Sequence, residues 1–386
     1  MRRVGIVSCY FKTNYGSMLQ AYATQKILDK MKIPNETINI DENIDFLNGK
    51  KKYYMSQITN IPFIKSKLGM VKLKIDKKIN KDLENNIRIR DNKYKEFKNN
   101  FKLTKPYKTY KELNEQCANY SDVLVGSDQL WLPVNVIADY YTLNWVPDDV
   151  NKVSYATSFG VSTVPDKYKK KYKKFLNRIN YLSTREESGV KLIEQLSDNR
   201  ATLVCDPTLL LNKEEWMDIQ QKEPIIKEKY ILCYFLGKNI NHRKFAERLK
   251  ERTGCKIVSL NHADEYVRYS DKFCDYAPYD IGPAEWINLI RNAEYVCTDS
   301  FHGTVFSLIN NTKFFTFERY NNKDSKVSTN SRIYSLLGIV DLKERILNGT
   351  ENVDNAIKMQ INFDNVEAKL SEFRNLSKNF LKKALS

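Results

Sequence analysis

No CxxC pair occurs among the seven cysteines of this 386-residue chain, which removes the half-site from which zinc ribbons and fingers are built. The cysteines are odd in number and widely scattered, and several lie in apolar words such as VCD and ILCYF. Reduced buried thiols and a reducing, cytoplasmic compartment are therefore expected. Histidine is scarcer still, with only His242, His262 and His302. His262 and Cys274 lack companion ligands, so no metal is expected. There is neither a GxGxxG nor a P-loop, and so no glycine fingerprint for a nucleotide. Long apolar runs are missing too. The opening MRRVGIVSCYF passes into KTNYG without the apolar core of a secretory leader, and no stretch approaches the roughly 18 residues that cross a bilayer.

What is present describes a folded chain of some size. A 42% hydrophobic and 12% aromatic content supplies cores, and 28% charged residues with a mean hydropathy of -0.55 predict solubility. The length suits two domains. The net charge of +16 is uneven: residues 50 to 110 hold 18 Lys/Arg and 5 Asp/Glu, so +13 lies in that stretch. Such a basic segment invites a nucleic-acid partner, but no zinc finger, RRM-like aromatic signature or basic zipper accompanies it. A solvated helical face accounts for the same charge.

The opening VGIVS reads as a strand, CYFKTNYGS as a loop and MLQAYATQKILDKM as a helix, with Leu19, Tyr22, Ala23 and Ile27 at helical spacing. ETINI, DVLVGSD, KVSYATSF, YLSTREES and TLVCDP continue an α/β rhythm, with KLIEQL as a short helix. Residues 50 to 110 interrupt it as a basic helical insertion, whose apolar positions Leu68, Val71, Leu73, Ile75, Ile79 and Leu83 can form packed faces. The polar stretch from Lys213 to Lys229, containing Pro224, reads as a connection. A second cycle follows: YILCYFL as strand, HRKFAERLKERTG as helix and CKIVSL as strand. The segment GPAEWINLIRNAEYVCTDSFHGTVFSLIN then reads as helix, strand, turn and helix. The expected organisation is an N-terminal Rossmann-like domain over 1–215, a C-terminal one over 225–365, and a helix over 366–386 packing back on the first.

Candidate chemistry falls at strand-to-helix junctions. His302 in VCTDSFHGTVF follows a strand, and free amides around Ser300, Phe301 and Gly303 can hold phosphate or carboxylate while the imidazole handles a proton. Gly303 would let the ligand approach; a capping or gap-filling histidine explains the same letters. Asn14, Tyr15, Gly16 and Gln20 offer an anion- or sugar-binding edge, or a tight turn with a helix cap. In GSDQLW, Asp128 can orient a hydroxyl or act as base, with Gln129 beside it and Trp131 as a platform for a sugar face. An Asx turn with a core tryptophan fits equally. Arg185 in STREES and Arg332 in NSRIYSLLG offer planar clamps for carboxylate or phosphate, or surface ion pairs. Asp206 in VCDP is expected to cap a turn before Pro207, and Cys9 to be structural.

Several separated words, NYGSMLQAYA, VGSDQLW, VSYATSFG, LSTREESG, VCDPTLLL, GPAEWINLI, CTDSFHGTVFS and SRIYSLLG, together resemble the polysaccharide pyruvyl transferase family. They are spread over residues 3 to 345 in the family's order; the basic segment and the tail carry little of the likeness. The resemblance implies a GT-B-like α/β fold, two Rossmann-like domains facing across a cleft. It also implies transfer of a pyruvyl group from phosphoenolpyruvate to a sugar of a cell-surface glycan or its lipid-linked precursor, commonly as a ketal, in cell-wall or exopolysaccharide synthesis. His302 matches the family's functional histidine in SFHG, and Arg185 an arginine that looks like a donor clamp. Phosphoenolpyruvate is thereby expected on the second-domain side with Arg185, Ser300 to Gly303 and Arg332. The acceptor is expected near Asn14 to Gln20 and Asp128 to Trp131.

No cofactor is implied. Peripheral contact with an anionic membrane, at its inner face, is the partner reading left for the basic segment. The rival readings are a nucleotide-sugar-dependent glycosyltransferase and a non-catalytic nucleic-acid or anionic-surface binding protein.

Overall fold

The structure is a computed structural model that describes residues 3–61, 64, 73, 76, 78–260, 273–319 and 330–386. Leu68, Val71, Ile75 and His262, singled out above, lie outside the described residues.

Two parallel sheets organise the chain. The first runs β2 (Asn35–Thr37), β1 (Val4–Val7), β3 (Asp122–Val125), β4 (Asn151–Ser154). A parallel pair, β5 (Leu182–Thr184) and β6 (Ala201–Leu203), continues it through a bridge between Val153 and Tyr181. The second sheet comprises β7 (Tyr230–Tyr234), β8 (Lys256–Ser259), β9 (Tyr295–Thr298), β10 (Phe314–Phe317) and β11 (Ile346–Leu347), in the order β11-β10-β9-β7-β8. Strands such as VGIV, DVLV and YVCT are buried along their whole length, as parallel strands covered on both faces must be. In each sheet the first strand lies between the second and third, so the winding reverses there. The carboxyl ends of β1/β3 and of β7/β9 are the crevices where doubly wound sheets bind ligands.

The helices that matter below are α1 (Tyr15–Lys30), α2 (Ile44–Met55), α3 (Lys81–Lys98), α4 (Glu187–Leu196), α5 (Ile240–Thr253), α6 (Pro283–Asn292), α7 (Phe301–Ile309), α8 (Ser331–Ile339) and α9 (Phe363–Ala384). Helix α1 starts three residues before Met18 because Asn14 accepts a hydrogen bond from the Ser17 amide at 3.0 Å. Helix α5 ends where expected, at Gly254 with φ of 70°.

The two sheets are joined by packing as well as by chain. Tyr15 is stacked between Tyr94 of α3 and Trp286 of α6, at 5.2 and 5.3 Å, and its hydroxyl donates to the Ile281 carbonyl at 3.0 Å. Lys93 pairs with Glu285 at 3.0 Å. The second half of the basic insertion is therefore a cross-brace whose Tyr94 and Phe97 enter the main core; Arg90 is buried on the same face, and the other charges of the helix are partly or fully exposed. The stretch from Lys213 is not a slack connection: Asn212 and Glu215 form a capping box, Trp216 is fully buried, and Asn288 holds the carbonyls of Gln221 and Glu223. Helix α9 returns to the first sheet, where Ser377 accepts from the Cys205 amide at 2.8 Å and Arg374 donates to the Leu209 carbonyl at 2.6 Å.

Candidate functional site

Four residues from the carboxyl ends of four strands converge. Asp128 follows β3, Arg185 follows β5, Asp206 follows β6, and His302 opens α7 just after β9. Arg185 donates to Asp206 Oδ2 at 2.5 Å, to Ser127 Oγ at 3.1 Å and to Asp128 Oδ1 at 3.4 Å. Ser127 donates in turn to Asp206 at 2.8 Å. His302 Nε2 stands 3.6 Å from Asp206 Oδ2, an ion-pair distance and too long for a hydrogen bond. On its other edge the imidazole fills the place of a side chain at Gly16: a Cβ built there would lie 2.0 Å from Nδ1. The amino end of α1 and that of α7 thus face each other across this ring.

Asp128 has a left-handed backbone, φ 81°, a conformation aspartate tolerates in turns. Its carboxylate accepts from Ser17 Oγ at 2.5 Å and from the Gln129 amide at 2.8 Å. Burial pushes its pKa up, but Lys12, Arg185 and His302 together with the Ser17 bond overcome it and hold the group well below the usual carboxylate range. Asp206 behaves alike: burial is outweighed by His302 and Arg185. Glu186 goes the other way; burial raises it and Arg185 and Arg332 only partly offset this.

Arg332, at the start of α8, is buried, and its guanidinium makes no hydrogen bond or carboxylate contact among the described residues. It lies 5.8 Å over the Phe301 ring, with Arg185 at 4.5 Å from the same ring. Burial, then repulsion from Arg185, pulls its pKa down to about 10. Among the described residues no group of three or more His, Cys, Asp or Glu is arranged to hold a metal ion.

Residues 14–321 match the family model of polysaccharide pyruvyl transferase. The chain belongs to that family. A search of curated proteins finds no match. Among solved structures the transferase resembles UDP-N-acetylglucosamine 2-epimerase from Rickettsia bellii, with a TM-score of 0.53 and 12% identity over 99% of this chain and 95% of that one. It also resembles the UDP-GlcNAc 2-epimerase of Methanocaldococcus jannaschii, with a TM-score of 0.51 and 12% identity over 98% and 100%. A putative UDP-N-acetylglucosamine 2-epimerase from Listeria monocytogenes gives 0.51 and 9% over 97% and 90%. At such identities the likeness is one of fold, an α/β architecture of parallel sheets like that of GT-B enzymes.

Several site expectations for the transferase change with the geometry. Trp131 is fully buried, packed on Phe159 at 5.2 Å and donating to the Tyr141 carbonyl, so it cannot stack on a sugar. Gln20 is buried and spends its amide on the Ser17 carbonyl. Asn14 is a helix cap and Tyr15 an inter-sheet bridge. Gly16 is required by His302, and Gly303 by Thr298, whose Oγ1 would lie 2.5 Å from an added Cβ; neither glycine is left open for a ligand. Ser300 caps α7 by accepting from the Gly303 amide at 3.3 Å, which leaves the Phe301 and His302 amides without acceptors among the described residues. Phe301 contributes a buried ring beneath two guanidinium groups rather than a polar contact. Arg185 is not a free clamp, because its fork is taken by Asp206 and Asp128. Gln129 is half-buried and its side-chain amide makes no hydrogen bond among the described residues.

Sequence reading missed the partners. Asp206 does cap its turn, accepting from the Thr208 amide at 3.0 Å, but it also joins Arg185 to His302. Glu186 sits in the same STREES word as Arg185. Asp299 accepts from the amides of Leu236 and Gly237 at 2.6 and 2.8 Å and so closes the loop after β7. Two acidic residues immediately after apolar strands, in VCDP and VCTDS, were the available signal.

His242 braces that loop from behind. It is buried, stacked on Phe317 at 4.8 Å and within hydrogen-bonding distance of Asn239 at 3.1 Å, and burial pulls its pKa down to about 4 despite Asp299. An unfolded histidine titrates near 6.5, so the unfolded state takes up the proton first on acidification. Stability is full above about pH 6.5 and falls as the pH drops toward 4. Between pH 7.5 and 5 this histidine alone removes about 2 kcal/mol. Urea unfolding at the two pH values should show the loss, and His242→Gln should reduce it.

Proposed function

We propose that the site binds phosphoenolpyruvate and that His302 is its proton donor. The family membership makes the chain an enzyme that transfers a pyruvyl-type group to a sugar or glycan. The observation that carries the donor assignment is Arg332: among the described residues no carboxylate stands within ion-pair distance of this buried guanidinium, and Glu186 and Asp128 act on it only from farther off, an arrangement that is costly unless an anion completes it. The free amides at the start of α7 add a second anion-binding element beside it.

In this reading the substrate's carboxylate and phosphate meet Arg332 and those amides. His302 gives a proton to the methylene carbon, which becomes a methyl group. The first acceptor hydroxyl adds to the neighbouring carbon and passes its proton to the His302 ring, replacing the one given to the methylene carbon, and the carbon–oxygen bond to phosphate breaks. A second hydroxyl then adds, its proton leaves with phosphate, and the ketal is closed. Asp206 supplies a negative neighbour for the ring while it carries charge, and Arg185 keeps Asp206 in place. Asp128, held ionised, is a weak proton acceptor, so it orients Ser17 and Arg185 rather than serving as base. The acceptor enters on the first-sheet side past the free amide of Gln129. The two sheets then act as two domains, 1–215 and 225–365, facing across a cleft, with the C-terminal helix strapping them. A cytoplasmic enzyme working at the inner face of the membrane fits a lipid-linked acceptor.

A nucleotide-sugar donor is disfavoured by Asp299. Its carboxylate occupies the two amides at the second sheet's crevice, where a diphosphate would need free N–H groups and no negative charge. Purified protein incubated with phosphoenolpyruvate and lipid-linked or nucleotide-linked sugars should release phosphate and yield a product heavier by pyruvate less one water. A nucleoside diphosphate product would reverse the ranking. Arg332→Ala should raise KM for phosphoenolpyruvate roughly tenfold or more, the loss of one charged hydrogen bond of about 1.5–3 kcal/mol. Arg332→Lys should recover part of it; an unchanged KM removes Arg332 from the donor site.

A further inference from the structure

Helix α2 has two apolar sides, and among the described residues only one is covered. Phe46 is buried against Tyr140 and Tyr141, and Gly49 is pressed so closely on the 133–138 helix that a Cβ would lie 2.6 Å from the Ala138 Cα. On the opposite side Ile44, Leu47, Met55 and, in the turn beyond, Ile58 are 53%, 48%, 68% and 67% exposed. Their spacing, with Lys51 between Leu47 and Met55, is that of one helical stripe. Lys51 and Lys52 are exposed alongside, whereas the helix's one acid, Asp45, is engaged by the Tyr110 amide at 2.7 Å.

We infer that this stripe is a membrane-docking face that seats the enzyme on an anionic lipid bilayer. Large apolar side chains in a row, flanked by lysines, suit insertion at the headgroup boundary with the ammonium groups on lipid phosphates. The charge of the insertion, +13 over residues 50 to 110, has the complementary sign. A nucleic acid would use the lysines but has no use for the isoleucines and methionine. In a twofold contact with a second copy, the lysines of one stripe would approach those of the other, which disfavours self-association. The inner edge of the same helix reaches toward the site: Lys50 lies 4.1 Å over the Phe46 ring and is repelled by Lys12, the residue whose charge also acts on Asp128. A bilayer held on the stripe would therefore lie close to the side on which the acceptor is proposed to enter.

The test is co-sedimentation of the full chain with vesicles at near-physiological salt, read without turnover and so independent of the donor assignment. The protein should bind phosphatidylcholine vesicles containing phosphatidylglycerol and bind pure phosphatidylcholine much less. A Leu47→Ser, Met55→Ser, Ile58→Ser variant should bind the anionic vesicles roughly tenfold or more weakly, with an unchanged thermal midpoint because all three side chains are exposed. Lys51→Gln with Lys52→Gln should weaken binding and flatten its salt dependence. Absence of vesicle binding, or equal binding by the triple-serine variant, would overturn the inference. So would light scattering showing a wild-type dimer that this variant dissolves, since the stripe would then be a self-interface.

Discussion

His302→Ala should lower kcat by about 10²–10⁴-fold while circular dichroism and cooperative unfolding are retained. Among the described residues the ring is the only imidazole in the converging group; His242 is enclosed behind the β7 loop on Phe317. The loss should appear in kcat more than in KM for phosphoenolpyruvate, because the donor's anionic groups are assigned to Arg332 and the α7 amides. Gly16→Ala supplies an independent arm. Its Cβ would fall 2.0 Å from Nδ1, so the ring must turn away and turnover should collapse with His302 still present. Near-normal turnover in folded His302→Ala would remove the histidine from the chemistry.

Arg185→Ala should have the largest effect on stability, about 3–5 kcal/mol, because it leaves Asp128 and Asp206 buried without their shared counter-ion. In the wild type these carboxylates are held well below their ordinary range, so they contribute stability above about pH 4 that is lost as the pH falls through and below that value. Without Arg185 their protonation becomes easier. The variant should then be least stable relative to wild type near neutrality, with the gap narrowing on acidification. Denaturant titrations at pH 7 and pH 4 measure this directly. Arg185→Lys should recover only part, since one ammonium cannot span Asp206, Ser127 and Asp128 as a planar fork does. A variant within 1 kcal/mol of wild type at pH 7 would show that the network holds no stability.

The local words were legible for a physical reason. Apolar runs buried on both faces, an Asn cap before α1 and a glycine after α5 declare strands and helix ends wherever they occur. The ordered junction words, down to SFHG, were enough to point to the family. Contacts between junctions were not legible. Arg185 and Asp206 are 21 residues apart and meet because β5 and β6 run parallel with their carboxyl ends together. Whether Trp131 faces a ligand or the interior depends on Phe159 and Phe175, and whether Tyr15 touches a sugar depends on Tyr94 and Trp286.

The basic segment that dominates the net charge shows the same division. Its sequence pointed to helices, positive charge and apolar positions at helical spacing, because those are properties of neighbouring residues. Only the tertiary structure decided that α3 turns its apolar side into the core between the sheets while α2 leaves an apolar stripe in solvent. The reason is geometric: periodicity names a helix's faces, but which face is buried depends on what the rest of the chain brings against it.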